Sequence, residues 1–182
     1  DIVLKGEGNP NSQSFSDDIA TMYSLAYTIK MSMKKLEGFY DWAVFPLEGI
    51  WNLSNKGQEL YKQGTPITEL KEYLVYELMI RQPEFVTKEY VLQYKELASK
   101  TKKNLKILEI EYRKTVPKKV CQCLHIGSYD NEPATFHMME QHTLEQGYQR
   151  KEKIHTEIYL TDARKTEPEK LKTTLRFDII KK

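Results

Sequence analysis

The stretch Ile154-His155-Thr156-Glu157-Ile158-Tyr159-Leu160 decides the fold. Its side chains alternate strictly, which is typical of a β-strand with two different faces. Ile154, Thr156, Ile158 and Leu160 are predicted to pack onto helices, and His155, Glu157 and Tyr159 are predicted to point the other way. A second alternating run, from Lys170 to Ile180, follows at once and carries Leu171, Thr173, Leu175, Phe177 and Ile179 on one face. The chain is therefore predicted to end in two consecutive strands.

A strand and a helix precede this pair. Val120 to Ile126 is predicted to be a strand, and the helix after it is opened by Pro133 and closed by Gly147. The residues of this helix predicted to point inward are Phe136, Met139 and Leu144. The C-terminal half thus reads strand, helix, strand, strand.

The N-terminal half repeats this order. Ile2 to Leu4 is predicted to be a strand, and further strands are predicted within Asp41 to Trp51 and Tyr73 to Ile80. Residues 52–68, which contain Gly57, Gly64 and Pro66, are predicted to form turns. The intervening helix is predicted from an apolar stripe spaced by three and four residues: Phe15, Ile19, Met22, Ala26, Ile29 and Met33.

The predicted fold is one α+β domain over residues 1–182, with strand-helix-strand-strand halves at about 1–85 and 118–182. A helix near 87–100, capped by Thr87, joins them. Two such halves can pair their strands about a pseudo-twofold axis. That arrangement would place a ligand cleft between the halves, with one glutamate from each near the axis.

Composition excludes several classes of function. The 182 residues carry a net charge of +2, and their Lys and Arg residues are interspersed with Asp and Glu, so no direct nucleic-acid binding is expected. No apolar run reaches the roughly 20 residues of a membrane helix. Two cysteines do not make a disulfide scaffold, so the protein is predicted to be cytoplasmic.

Cys121, Cys123 and His125 have a spacing that invites a metal interpretation. Three donors alternating along one short strand rarely close around one ion, and the sequence has no second cluster of ligands. We predict no metal and no cofactor.

The face bearing His155, Glu157 and Tyr159 is the first candidate site, because these residue types form a polar, aromatic pocket. An ordinary exposed strand face is the alternative. Glu48 is its predicted counterpart in the first half, since it interrupts an otherwise apolar run from Trp42 to Trp51. Alternation puts Trp51 on the face opposite Glu48, and a bulge at Gly49 would bring its indole to the ligand; otherwise Trp51 belongs to the core.

The loop after the predicted strand Val120 to Ile126 supplies further candidate residues. His125, Ser128 and Tyr129 could orient an oxygen of a ligand, or the segment could be an ordinary turn. Phe136 is predicted to line the site from the following helix. The twelve tyrosines of the chain suit a flat ligand, because tyrosine offers a rigid amphipathic wall.

Several segments resemble GyrI-like small-molecule-binding proteins of the stand-alone bacterial branch. The residues that carry the resemblance are Cys121 to Asp130 with Glu132, Pro46 to Trp51, Met79 to Val86, His155 to Leu160 and Lys170 to Thr173. The resemblance implies a duplicated fold of the SHS2 type with a ligand cleft. It also implies that Glu157 is the strand glutamate that receives cationic, hydrophobic ligands in an aromatic pocket.

The resemblance implies two functions. Some stand-alone members are similar to hydrolases that open the strained cyclopropane of DNA-alkylating natural products, which would make this a detoxifying enzyme. Glu157 would then be the general base, Tyr129 or His155 the donor to a carbonyl, and Trp51, Tyr159 and Phe136 the walls around a planar hydrophobic molecule. The alternative is a non-catalytic binder or sensor of drugs, as in transcription regulators. A third function, inhibition of a DNA topoisomerase, rests on the family name alone. The sequence is compatible with a monomer and with a homodimer.

Overall fold

The computed structural model of the protein describes all 182 residues, which form eight strands and four α-helices. In chain order these are β1 (Ile2–Glu7), α1 (Gln13–Met33), β2 (Leu47–Leu53), α2 (Asn55–Lys62), β3 (Leu74–Ile80), α3 (Lys88–Lys102), β4 (Glu111–Tyr112), β5 (Val120–Ile126), α4 (Glu132–Glu145), β6 (Tyr148–Arg150), β7 (His155–Tyr159) and β8 (Lys172–Lys181). The α+β class is confirmed. The order β1-α1-β2-β3 and β5-α4-β7-β8 follows the predicted one, while the duplication about a pseudo-twofold axis stays a prediction.

The chain forms two compact units. The first contains Asp1–Leu47 and Leu53–Thr115, and the second contains Glu48–Asn52 and Val116–Lys182. Most of β2 therefore belongs to the second unit, although it lies in the N-terminal half of the sequence.

In the first unit, β1 is the central strand, paired antiparallel with β3 on one side and with β4 on the other. Helix α1 starts after Ser12, whose hydroxyl accepts a hydrogen bond from the Phe15 amide. The predicted apolar stripe is buried at Phe15, Met22, Ala26, Ile29 and Met33, and Ile19 is half-buried. One charged residue of α1 is also buried: Asp18 accepts a hydrogen bond of 2.9 Å from the Tyr76 hydroxyl and pairs with Lys106.

In the second unit, four strands form an antiparallel sheet in the order β2-β7-β8-β5, and β6 pairs with the far end of β8. Helix α4 packs on β5 and β6. The core here is small: Met139 of α4 packs with Leu175 and Phe177 of β8, with Phe136 at its margin. The predicted inward face of β8 is confirmed at Thr173, Leu175 and Phe177, which are buried, while Ile179 is half-buried and the buried Leu171 precedes the strand.

The predicted orientation of β7 is wrong. Glu157 pairs with Leu175, and directly opposed residues in a sheet share a face. Leu175 packs against Met139 of α4, and the ring of His155 lies 4.8 Å from that of Phe136. The polar face of β7 is therefore the one that α4 covers.

The predicted inward position of Leu144 in α4 is also wrong. Leu144 is 49% exposed, whereas the neighbouring Thr143 is buried. Thr143 is accommodated because its hydroxyl donates to the Met139 carbonyl at 2.7 Å.

Two further expectations for the region around β2 are corrected. The strand begins at Leu47 rather than near Asp41, since Pro46 has no amide hydrogen to donate to a ladder. Residues 52–68 contain a helix, α2, capped by the hydroxyl of Ser54. Gly57 does not make a turn there: a Cβ on Gly57 would lie 2.8 Å from Cβ of Tyr73, so the glycine allows close packing.

None of the helices combines the length and the apolar character needed to span a bilayer.

Candidate functional site

Glu157 lies at the centre of a hydrogen-bonded chain on the face of the second unit's sheet that α4 covers. The hydroxyl of Tyr159 donates to its Oε2 at 2.9 Å, and the Nε2 of His155 lies 3.0 Å from its Oε1. Because a carboxylate only accepts, the imidazole proton of this pair sits on Nε2. The Glu157 side chain keeps 12% of its surface exposed.

Trp51 extends this chain from the neighbouring strand. Its indole Nε1–H donates to the Tyr159 hydroxyl at 2.8 Å, so that hydroxyl accepts from Trp51 and donates to Glu157. Ordinary alternation along β2 places Trp51 opposite His155, so the proposed bulge at Gly49 is not needed. Trp51 is 8% exposed and belongs both to the site and to the core.

Gly49 is required by this arrangement. It is paired with Glu157, and a Cβ at this position would lie 2.8 Å from the Tyr159 hydroxyl and 2.9 Å from Nε1 of Trp51. A side chain there would displace one of the two aromatic residues. The glycine thus makes room for the rings that orient Glu157.

Two tyrosines supply protonated hydroxyls. Burial and the charge of Glu157 raise the pKa of Tyr159 well above its ordinary value, and the same two causes raise the pKa of Tyr129 to about 12. The rings meet edge to face with centroids 6.2 Å apart. The Tyr159 hydroxyl donates its proton to the hydrogen bond with Glu157. The Tyr129 side chain is 38% exposed, so its hydroxyl is free to donate to a ligand.

Glu132, the first residue of α4, completes the site, although sequence reasoning assigned it no role. It is 6% exposed, and its Oε1 has no hydrogen-bond partner. Oxygen and nitrogen atoms of Glu132, His155 and Glu157 lie within 4.8 Å of one another. We call Glu132, His155, Glu157 and Tyr159 the carboxylate cluster. Burial first, and the charges of Glu157 and Asp130 second, raise the pKa of Glu132 to about 9.

The start of a helix favours an ionised acid, which opposes this shift. That effect is worth at most about 2 kcal/mol, and burial with the charges of Glu157 and Asp130 acts against it and raises the pKa of Glu132. Desolvation therefore outweighs the helix end, and Glu132 is a neutral carboxylic acid at neutral pH. Its neighbour Glu157 has hydrogen-bond contacts at both oxygens, with His155 and Tyr159.

Phe136 forms an aromatic wall beside the carboxylate cluster. It follows Glu132 by one helical turn, and its ring packs edge to face on His155 with centroids 4.8 Å apart. The guanidinium of Arg150 lies 5.0 Å from the centre of its ring. The face of the Phe136 ring is therefore partly covered by the Arg150 guanidinium. The contact of the same ring with His155 holds the imidazole in place.

His125 is held by two structural contacts. Its Nε2 lies 3.0 Å from the Ser128 carbonyl oxygen, which can only accept, so Nε2 carries the proton and donates. The other nitrogen, Nδ1, is then free to accept the Thr135 hydroxyl at 2.8 Å. With both ring nitrogens engaged and 5% exposure, His125 fixes the turn between β5 and α4, which carries Tyr129.

Glu48 is not brought to the carboxylate cluster. It is paired with Ile158, so it lies on the opposite face of the sheet from Glu157. There it forms an ion pair of 3.5 Å with Arg176. Of the eight predicted site residues, the structure brings together Trp51, Tyr129, Phe136, His155, Glu157 and Tyr159, places His125 behind the turn, and leaves Glu48 outside.

The spacing of Glu132, His155 and Glu157 also raises the question of a divalent cation. In the structure the Nε2 of His155 lies 3.0 Å from Oε1 of Glu157, so an ion bound through these two atoms would replace their hydrogen bond.

The comparisons with known proteins agree with this fold and place the chain in a family. The sequence model described as GyrI-like small molecule binding domain matches residues 52–179. An uncharacterized conserved protein from Listeria innocua is similar in structure with a TM-score of 0.85 and 30% identity, covering 98% of this chain and 86% of that one.

Two further solved structures, each described as a hydrolase from Listeria innocua, are similar to nearly the same extent. Their TM-scores are 0.82 and 0.83, with 29% and 30% identity, and both comparisons cover 98% of this chain and 86% of the other. Comparison with the curated proteins finds no match. With the family model matching well over half of the sequence, the chain belongs to the GyrI-like small-molecule-binding domain family.

Proposed function

We propose that this small-molecule-binding protein hydrolyses a strained cyclopropane in planar, hydrophobic, DNA-alkylating natural products, and so detoxifies them. The observation that carries the proposal is the Glu157 carboxylate, oriented by His155 and Tyr159 and surrounded by aromatic rings. The similarity to structures named as hydrolases supports hydrolysis as the class of reaction.

The chemistry suits a cyclopropane conjugated to a carbonyl. Glu157 takes a proton from a water molecule as the water oxygen bonds to a ring carbon. The strained carbon–carbon bond breaks, and its electron pair moves through the conjugated system to the carbonyl oxygen. General base catalysis supplies on the order of 10² to 10⁴ in rate, and release of ring strain contributes much of the remaining driving force.

Tyr129 is the better of the two expected donors to the carbonyl oxygen. The Nε2 of His155 is already engaged with Glu157, whereas the raised pKa of Tyr129 keeps its partly exposed hydroxyl protonated. A donor aimed at an oxygen that gains charge stabilises the transition state more than the bound substrate. His155 then serves to hold Glu157 in place.

The test is Glu157→Gln, which keeps the shape of the side chain and removes the base. We expect hydrolysis of a spirocyclopropyl cyclohexadienone, followed by mass spectrometry of the water adduct, to fall by about 10² or more. Binding of the same compound, measured by quenching of Trp51 fluorescence, should persist. Unchanged turnover would contradict the role of Glu157.

A non-catalytic binder of cationic hydrophobic compounds is the second candidate. It is favoured by the fact that the neighbours of Glu157 are a histidine and a tyrosine, and that no Lys or Arg forms an ion pair with it. Its charge is therefore available to a ligand cation. Stoichiometric loss of the free compound, without a water adduct and with tight binding of its cationic analogues, would establish this function instead.

A further inference from the structure

We propose that Glu132 is the general acid of this site: it keeps its proton in the resting protein and gives it to the oxygen that gains charge when the ring opens. The inference rests on the proposed function and adds a second reacting carboxyl to it. Glu157 and Glu132 would then act as a base and an acid on one substrate.

The geometry singles out Glu132. It is 6% exposed, yet its Oε1 has no partner, whereas both oxygens of Glu157 are engaged. Buried polar groups are almost always paired, so an unpaired one beside a candidate base calls for a ligand. The atoms of the two carboxyls that face each other lie within 4.8 Å, close enough to meet the same small molecule.

The charges around Glu132 favour its neutral form. Glu157 and His155 face it from β7, and Tyr129 and Asp130 lie in the turn before α4. No Lys or Arg is among the charges that shift its pKa, which are those of Glu157 and Asp130. Two neighbouring carboxyls that cannot both ionise divide into an acid and a base, and the more deeply desolvated one, Glu132, keeps the proton.

The step balances without a co-reactant. Water gives a proton to Glu157 and its oxygen to the ring carbon, and the carbon–carbon bond breaks. The electron pair reaches the carbonyl oxygen, to which Tyr129 donates a hydrogen bond and Glu132 transfers its proton, so that this oxygen becomes a hydroxyl group of the product. Glu132 is then ionised and Glu157 protonated, and transfer of one proton between these neighbours restores the resting state.

The first test measures the proton and does not depend on turnover. Infrared spectra of the full chain should show the carbonyl band of a neutral carboxylic acid at neutral pH, lost as the pH rises through about 9. The band should be absent from Glu132→Gln and present in Glu145→Gln, a control at an exposed position of the same helix. Absence of the band from the wild-type protein would overturn the acid role of Glu132 and leave the proposed function unaffected.

The second test follows kcat and KM for the spirocyclopropyl cyclohexadienone against pH. The Glu132→Gln variant should lose a factor of about 10² in kcat, with KM little changed, and should lose the decline in rate at alkaline pH. Wild-type rates in this variant, or rates abolished by EDTA and restored by Zn²⁺, would overturn the acid role. Absence of any turnover in the wild-type protein would overturn the proposed function, and the acid role with it, while the infrared band would still report the proton.

Discussion

Glu48 and Glu157 lie on adjacent strands but on opposite faces of one sheet, because Gly49 and not Glu48 is the residue paired with Glu157. A one-residue offset in a strand exchanges the two faces. The acids therefore have different partners: Glu48 meets Arg176, and Glu157 meets His155 and Tyr159. Of the two acids, only Glu157 therefore belongs to the proposed site.

This separation predicts opposite outcomes for two matched substitutions. Glu48→Gln should leave turnover and ligand affinity within about two-fold of wild type, and its partly exposed ion pair should cost less than about 1 kcal/mol of stability. Glu157→Gln should abolish most turnover. Steady-state rates and thermal unfolding of both variants check this. A loss of activity in Glu48→Gln as large as that in Glu157→Gln would contradict the assignment.

The sequence predicts the shared face of His155, Glu157 and Tyr159, since two-residue periodicity depends only on the strand. It does not predict which face α4 covers, because both faces of β7 carry side chains that a helix can bury. The analogy between the two halves of the sequence predicts Glu48 at the site. The register of β2 against β7, which no local pattern encodes, decides otherwise.

The position of Glu132 in the helical pattern of α4 is a signal in the sequence that indicates its burial. An acid in the first turn of a helix is common and usually exposed. Yet the buried residues of α4 are Glu132, Met139 and Thr143, and with the half-buried Phe136 they follow steps of four, three and four. An acid on the apolar stripe of a helix is predicted to be buried. The buried stripe of α4 thus begins at residue 132 and not at residue 136.

Gly49→Ala should disturb the site without touching a charged group. The new methyl group would overlap the Tyr159 hydroxyl and Nε1 of Trp51, so their hydrogen bond should break. Loss of one such bond is worth about 1 kcal/mol, which predicts a fall of about five-fold in turnover and a shift in Trp51 fluorescence. Ile50→Val, on the other face of β2, is the control. Unchanged fluorescence in Gly49→Ala would show that the strand relaxes around the methyl group.

His125→Ala should act on stability first. It leaves the Ser128 carbonyl and the Thr135 hydroxyl without their partner, which should lower the free energy of unfolding by about 2 kcal/mol. Turnover should fall only as far as the turn carrying Tyr129 loosens. Urea unfolding measures the first effect, with His142→Ala at an exposed position of α4 as the control. Full stability with lost ligand binding would instead make His125 a ligand contact.

Glu132→Gln should stabilise the protein increasingly as the pH rises. The pKa of Glu132 is about 9 in the folded protein against 4.5 as its ordinary value, so unfolding releases a proton between these limits. The stability contributed by the buried neutral acid is complete below about pH 4.5 and lost progressively until the pH passes about 9. Glutamine has no proton to lose, so its advantage over wild type should be near zero at about pH 4.5 and reach a few kcal/mol at about pH 8, at up to about 1.36 kcal/mol per pH unit. Urea unfolding at a series of pH values measures this difference, and Glu145→Gln should show none of it. A constant difference across the series would mean that Glu132 ionises normally.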